Sequence, residues 1–439
     1  MATKKISLLD AISIGIGGMV GGGIFAVLGL AVSLAKGATP VAFACAGVVA
    51  LITAASYSKL SQKYSDRGGT VCFINKAFGA GIFSGSLNNL LWISYVIMLS
   101  LYASAFGSYA PNLWNITGSR SVDYHIYATA IILIATAINY YSIAVVGRIE
   151  SVAVVIKLVI LLAFIGIGAY GLIGNPMVHQ LSVTHWESPI HLFAGGMVIF
   201  VAYEGFELIA NAAPDIKDPE KNIARAFYAS VIFVIILYIV IAIVTVGSLS
   251  FADIGKAQDY VLAQAAKPML GQVGFTIITI AALISTFSAI NASIYGGGQV
   301  SDEIARDGEF FHSFTDQFIH QPVGLAVTSV LTLISVNVLP LQTISTAGSL
   351  GFLLIFAVVN ASAVKLSANI GMHRAIPTVG AVLCLVASVI LVGQQWRSTP
   401  TGVTIAVGLV AVCVGVEALY KRTTRHQVHT NSAQSSLKH

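Results

Sequence analysis

The sequence predicts an all-α polytopic membrane protein of about twelve transmembrane helices, and three observations predict it. The residues are 56% apolar and only 9% charged, against roughly 25% charge in an average soluble domain. Mean hydropathy is +0.85. Apolar stretches of about 20 residues recur along the chain between short charged or Gly/Pro-containing turns, long enough to cross a bilayer. Continuous runs of this kind are helices rather than the alternating strands of a barrel, because a lipid-exposed backbone must satisfy its own hydrogen bonds.

The elements follow in order. Residues 1–9, with Lys4 and Lys5 and no signal-peptidase site, form a retained N-terminus. The expected spans are 10–34, 39–63, 80–110, 124–145, 149–173, 190–212, 224–248, 269–299, 322–339, 342–364, 376–395 and 400–420. Spans within 10–173 make a first five-helix repeat and those within 190–364 a second, inverted one. Region 376–420 adds two helices, and 421–439, rich in Ser, Thr, Gln and His, is a disordered cytoplasmic tail. Segment 251–268, with Asp253, Lys256, Asp259 and Lys267, reads as an outer amphipathic loop or short helix. With the N-terminus inside, seventeen Lys and Arg fall in inner loops and five in outer ones. That bias places both termini in the cytoplasm and the chain in the inner (plasma) membrane.

The net charge of +5 is dispersed among loops rather than gathered into a stripe, which excludes nucleic acid as a partner and leaves the lipid bilayer. Cys45, Cys72, Cys384 and Cys413 show no metal-ligand spacing, so no cofactor or metal is expected. No H-E-x-x-H, G-x-S-x-G or phosphate-cradling loop appears, which argues against an enzyme.

Only Lys157 belongs to neither loop set. Nine residues separate it from Arg148 at the polar boundary, roughly 14 Å along a helix, near the midplane of the bilayer. A charge at that depth costs on the order of 2.5–3.5 kcal/mol on insertion scales, so it faces protein and has a partner.

Two spans carry features that an uninterrupted helix avoids. In span 1 the triplet Gly21-Gly22-Gly23 precedes Ile24-Phe25, and each Gly costs about 1 kcal/mol relative to Ala in a helix. In span 6 the run Phe200-Val201-Ala202-Tyr203-Glu204-Gly205-Phe206-Glu207 puts two carboxylates and a glycine near the midplane. These spans hold corresponding places in the two halves, where inverted repeats set a binding site between discontinuous helices. Free N–H groups at one break suit a carboxylate and free carbonyls at the other suit an ammonium. The expected pose puts an α-carboxylate on Gly21, Gly22 and Gly23 beside Ile24. The α-amino group then meets the carbonyls of Val201 to Tyr203, before Glu204 and Gly205, with Phe200 as gate.

Four motifs carry a family resemblance. Gly21-Gly22-Gly23-Ile24-Phe25 resembles the G-[SAG]-G-I-F element of the amino acid–polyamine–organocation superfamily, and Tyr203-Glu204-Gly205-Phe206-Glu207 its Y-x-G-F-[DE] element. Pro219-Glu220-Lys221-Asn222-Ile223-Ala224-Arg225-Ala226 is similar to its P-x-K-N-[IV]-P-R-A loop, and Ala305-Arg306-Asp307-Gly308 to its A-R-D-G motif. The stretches Val146-Gly147-Arg148 to Lys157 and Asn291 to Gly296 resemble the proton-coupled archaeal ApcT-type permeases.

The resemblance implies a LeuT-like five-plus-five inverted repeat with discontinuous helices 1 and 6. It also implies a secondary active amino acid transporter, proton-coupled and sodium-independent, working by alternating access. Lys157 would then stand in for sodium, touching a freed carbonyl near Gly17 to Met19 and a hydroxyl of Ser285 or Ser288. The alternatives are a polyamine or cationic amino acid transporter or exchanger, or a sensor on the same scaffold. Glu204 stands where relatives are commonly apolar, and Ala224 where they have proline; the proline that usually follows A-R-D-G-x is missing. Glu204 is expected to take a proton, with Glu207 one turn away, or a cationic group of the substrate.

Overall fold

The computed structural model describes residues 5–66, 68–141, 143–306, 317–318 and 321–436. Among the described residues, nine helices are long and apolar enough to cross a membrane, two bent helix pairs pass the same test, and Val323–Val338 is a shorter apolar helix. Together they form the twelve spans.

Span 1 is broken into Leu8–Met19 and Gly23–Ala35, bent by 46°. It begins two residues before the expected position because Ser7 and Asp10 form a capping box: the Ser7 hydroxyl accepts from the Asp10 N–H at 3.2 Å, and the Asp10 carboxylate accepts from the Ser7 N–H at 3.2 Å. Span 2 is Thr39–Lys63, span 3 Ile82–Tyr109, span 4 Arg120–Tyr141 and span 5 Ile143–Gly171. A short helix, Thr70–Phe78, joins spans 2 and 3.

Span 6 starts as Pro189–Val198, tightens to a 3₁₀ turn over Phe200–Tyr203, and resumes at Leu208–Ala212, with a 51° bend. Span 7 is Pro219–Ser248. The segment that follows is a short helix, Phe251–Lys256, and a 3₁₀ turn, Gln258–Tyr260. Span 8 runs Val261–Arg306 with a kink at Gly271, whose φ of 58° departs from helix. Its helical course therefore begins eight residues before the expected start at 269. Spans 9 to 12 are Val323–Val338, Leu341–Lys365, Ala375–Ser398 and Pro400–Ser436. A two-residue antiparallel pairing, Gln317 with Pro322 and Phe318 with Gln321, lies between spans 8 and 9. Span 12 continues as helix past Lys421, where the polar composition predicts a disordered tail; neither Gly nor Pro follows Gly415 to stop it. Residues 307–316, which include Asp307 and Gly308 of the A-R-D-G motif, lie outside the described residues.

Burial separates the spans by role. Spans 3 and 10 are 89% and 78% buried along their apolar windows, while span 4 and span 12 are each 28% buried. Spans 3 and 10 are therefore the inner scaffold. Span 5 shows how one helix serves two solvents. Val152, Val155, Val159 and Leu162 are exposed, whereas Ala153, Lys157, Leu161 and Phe164 are buried at helical spacing on the other side. Lys157 is on the protein-facing stripe. Span 12 is tied to span 3 by a polar contact, in which Asn89 Nδ2 donates to Glu417 Oε2 at 3.1 Å. Gly85 leaves room for that carboxylate.

Candidate functional site

The break in span 1 frees carbonyls that an unbroken helix would use, and side chains from three other spans take them. Lys157 Nζ of span 5 donates to Gly17 O at 2.9 Å. Tyr238 of span 7 donates its hydroxyl to Met19 O at 2.6 Å and reaches Ala202 O at 3.2 Å. Ser285 of span 8 donates to Val20 O at 2.9 Å and Gly21 O at 2.6 Å. Each buried carbonyl would otherwise carry an unmet acceptor costing about 1–3 kcal/mol.

Span 6 is supported from span 10. The hydroxyls of Ser345 and Ser349 each donate to Val198 O at 2.7 Å, and Ser349 Oγ accepts from the Val201 N–H at 3.0 Å. Gly205 has a φ of +114°, a conformation open to glycine and costly for other residues. Its N–H is held by Glu207 Oε2 at 2.8 Å. The two breaks touch there. A Cβ on Gly18 would stand 2.7 Å from Gly205 O, and one on Gly205 would run into the backbone of Gly18 and Met19.

Between the breaks lies a small cavity lined by Gly17, Gly18, Met98, Tyr102, Glu204 and Gly205. Leu208 lines it as well, and Ser288, Ala289, Ala292 and Ser293 form the wall from span 8. Its volume is about 10 Å³, room for roughly one water, so any larger guest requires the walls to part. Glu204 is its one carboxyl. Glu204 Oε2 accepts from the Tyr102 hydroxyl at 3.5 Å, and the buried Glu204 Oε1 has no donor among the described residues. Glu207 Oε1 is likewise buried without a donor among the described residues, and the two carboxyls are close enough to share a proton.

The expected residues divide accordingly. Glu204, Gly205 and Ser288 line the cavity, and Lys157, Glu207 and Ser285 hold the breaks around it. Gly21, Gly22, Gly23 and Ile24 do not line it. Gly22 lies against the Tyr102 ring, Gly23 against Ala202, and Ile24 is fully buried. Of the carbonyls expected to meet the ammonium, Ala202 O accepts from Tyr238 and Val201 O accepts from the Glu204 N–H at 3.3 Å. Phe200 packs on Phe356 and Tyr203 on Tyr238, away from the cavity. Sequence reasoning named Ser288 but missed Tyr102, Met98 and the rest of the span 8 wall, Ala289, Ala292 and Ser293. Tyr102 lies seven residues after Tyr95, two helical turns, on the face that carries Trp92 and Tyr95. Ser285, Ser288, Ala289, Ala292 and Ser293 repeat at helical spacing, and that stripe of small residues was the available signal.

A family model described as amino acid permease matches residues 6–418. The chain belongs to the amino acid permease family. The permease is 33% identical over 435 residues to an uncharacterised protein of Methanocaldococcus jannaschii, with 98% of each chain covered. It is 32% identical over 420 residues to the inner membrane transport protein YbaT of Escherichia coli, covering 95% of the permease and 97% of YbaT. Among solved structures, a mutant of the Eremococcus coleocola manganese transporter shares the fold at a TM-score of 0.61 and 12% identity, covering 95% of the permease and 94% of that chain. The permease is thus a multi-pass membrane transporter with the LeuT-like arrangement.

Proposed function

We propose that this permease carries amino acids across the cytoplasmic membrane by alternating access, coupled to protons and independent of sodium, with both termini cytoplasmic. The observation that carries the reading is the Lys157 ammonium on Gly17 O. A fixed cation beside a freed carbonyl does the work a bound metal ion would do: it holds the first half of span 1 against span 5. Gain or loss of one proton at Nζ changes that hold, and a proton that binds the two conformations unequally shifts their populations. The guest enters between Gly17, Gly18 and Glu204 as the walls separate. The orientation of the termini rests on the excess of Lys and Arg in the loops of the face that carries them.

A second reading concerns the cargo. Glu204 Oε1 is buried in the cavity wall without a donor among the described residues, and a carboxylate at that depth needs either a proton or a cation. A proton there gives pH-dependent binding of neutral amino acids; a cationic group there selects a basic amino acid, diamine or polyamine.

Purified permease in proteoliposomes tests both. Uptake of a labelled amino acid panel should rise with an inward proton gradient and ignore sodium. Sodium-stimulated uptake would sink the coupling scheme, and binding without accumulation would make the protein a sensor.

A further inference from the structure

A second cavity, of about 530 Å³, opens at the end of the bundle opposite the termini. It lies among the end of span 3, the start of span 4, the turn before span 8 and the turn between spans 9 and 10. Its volume falls in the range of roughly 300–1,000 Å³ usual for small-molecule sites. Spans 1 and 6 contribute nothing to its lining, so it is separate from the central cavity.

Its charged groups are Arg120 and Asp259, with His125 on the rim held by Asn337 at 2.8 Å. Arg120 is fixed from three sides: Nη2 donates to Asn112 Oδ1 at 2.8 Å and Ser108 O at 3.4 Å, and the guanidinium lies 4.0 Å over the Tyr260 ring. Its Nε and Nη1 donate to no described residue. Asp259 accepts no hydrogen bond among the described residues. Desolvation by the cavity walls raises the Asp259 carboxyl above its usual range while the nearby Arg120 guanidinium pulls the other way, yet the two form no ion pair within 4.0 Å. An anchored cation and a carboxylate, both exposed, thus line one cavity without forming an ion pair. A zwitterion would satisfy both, since a planar guanidinium matches a carboxylate and a carboxylate matches an ammonium.

We propose that this outer cavity binds the zwitterionic head of an amino acid, Arg120 taking the α-carboxylate and Asp259 the α-ammonium. The cargo class rests on the transport reading above. The site adjoins the transport machinery, because Gly29 in the second half of span 1 packs on Gln258 O, one residue before Asp259. A bound head group therefore bears on the turn against which span 1 rests.

The test places a thiol in the cavity wall with Ser121→Cys and follows its reaction with a membrane-impermeant methanethiosulfonate, read at position 121 by peptide mass spectrometry. Glycine, L-leucine, L-glutamate and L-lysine are each added in millimolar excess. At least one should slow the reaction about tenfold at near-saturating occupancy, while its N-acetyl and amide forms, each lacking one charge, should not. Adding Arg120→Gln or Asp259→Asn should remove the protection. Equal protection by the blocked forms, protection that survives in those variants, or none by any amino acid would overturn the outer site. Proteoliposome uptake is read separately. Uptake without protection overturns this site alone, whereas protection without uptake upholds it and removes the transport reading.

Discussion

The break in span 1 and the break in span 6 touch through Gly18 and Gly205, yet they treat their freed polar groups in opposite ways. Around span 1, Lys157, Tyr238 and Ser285 reach in from three helices and hold Gly17, Met19, Val20 and Gly21 at their carbonyls. Around span 6, the hydroxyls of span 10 and Glu207 hold the backbone, but Glu204 Oε1 and Glu207 Oε1 are left as buried acceptors without a donor among the described residues. One break is saturated by the protein, and the other keeps acceptors for something the protein does not supply. Saturation marks where the fold is held; the spare acceptors mark where a proton or a cationic group is received.

The largest expected effect comes from unfastening the saturated break. Lys157→Ala should reduce proton-driven uptake to background, while the loss of one donor to a buried carbonyl lowers stability by only about 1–3 kcal/mol. Proteoliposome uptake and thermal unfolding separate the two. Uptake within a factor of two of the parent would break the contrast between the sites, since the saturated break would then carry no coupling.

The contact between the breaks should be nearly as sensitive, but in stability. Gly205→Ala places a side chain at a φ of +114° and into the backbone of Gly18. Strain of about 1–3 kcal/mol and overlap of similar size should add. Chemical denaturation that finds under 1 kcal/mol would show that the breaks can separate without cost.

Glu204→Gln tests the spare acceptor and should leave folding almost unchanged. If the guest is cationic, its affinity should fall by about 1.5–3 kcal/mol, on the order of tenfold to a hundredfold. If the guest is a proton, the pH dependence of neutral substrate binding should flatten instead. A variant that keeps both the parent's selectivity and its pH profile would rule Glu204 out of cargo and coupling alike.

The smallest effect is Tyr238→Phe, which keeps the packing on Tyr203 and Phe43 and removes only the donor to Met19 O and Ala202 O. At about 0.5–1.5 kcal/mol per hydrogen bond, the loss should appear as a shift in the midpoint of denaturation with uptake retained. An unchanged midpoint would mean that span 1 does not depend on its side-chain donors.

Much of the site was legible, and unevenly so. Lys157, Glu204 and Glu207 announce themselves because an ionisable group in an apolar span must have a reason. Ser285 was reached only through the family resemblance, and each of these residues lies at the breaks. Gly22 stands out in the sequence, but its role does not, since it admits the Tyr102 ring rather than a ligand carboxylate. Tyr102 itself is one of many aromatics in apolar spans. Glu417 was silent too, since its partner Asn89 lies 328 positions away in sequence.

By itself the sequence determined the crossings and the places where two of them break, because bilayer thickness sets span length and a backbone in lipid is satisfied within its own segment. It also determined which spans hold charge at depth. Only the tertiary structure decided which atoms those charges meet: Lys157 on Gly17 O and Glu204 beside Tyr102. Those pairings join residues about a hundred or more positions apart, and they follow from how the helices rotate and cross, which side-chain packing sets and local sequence does not.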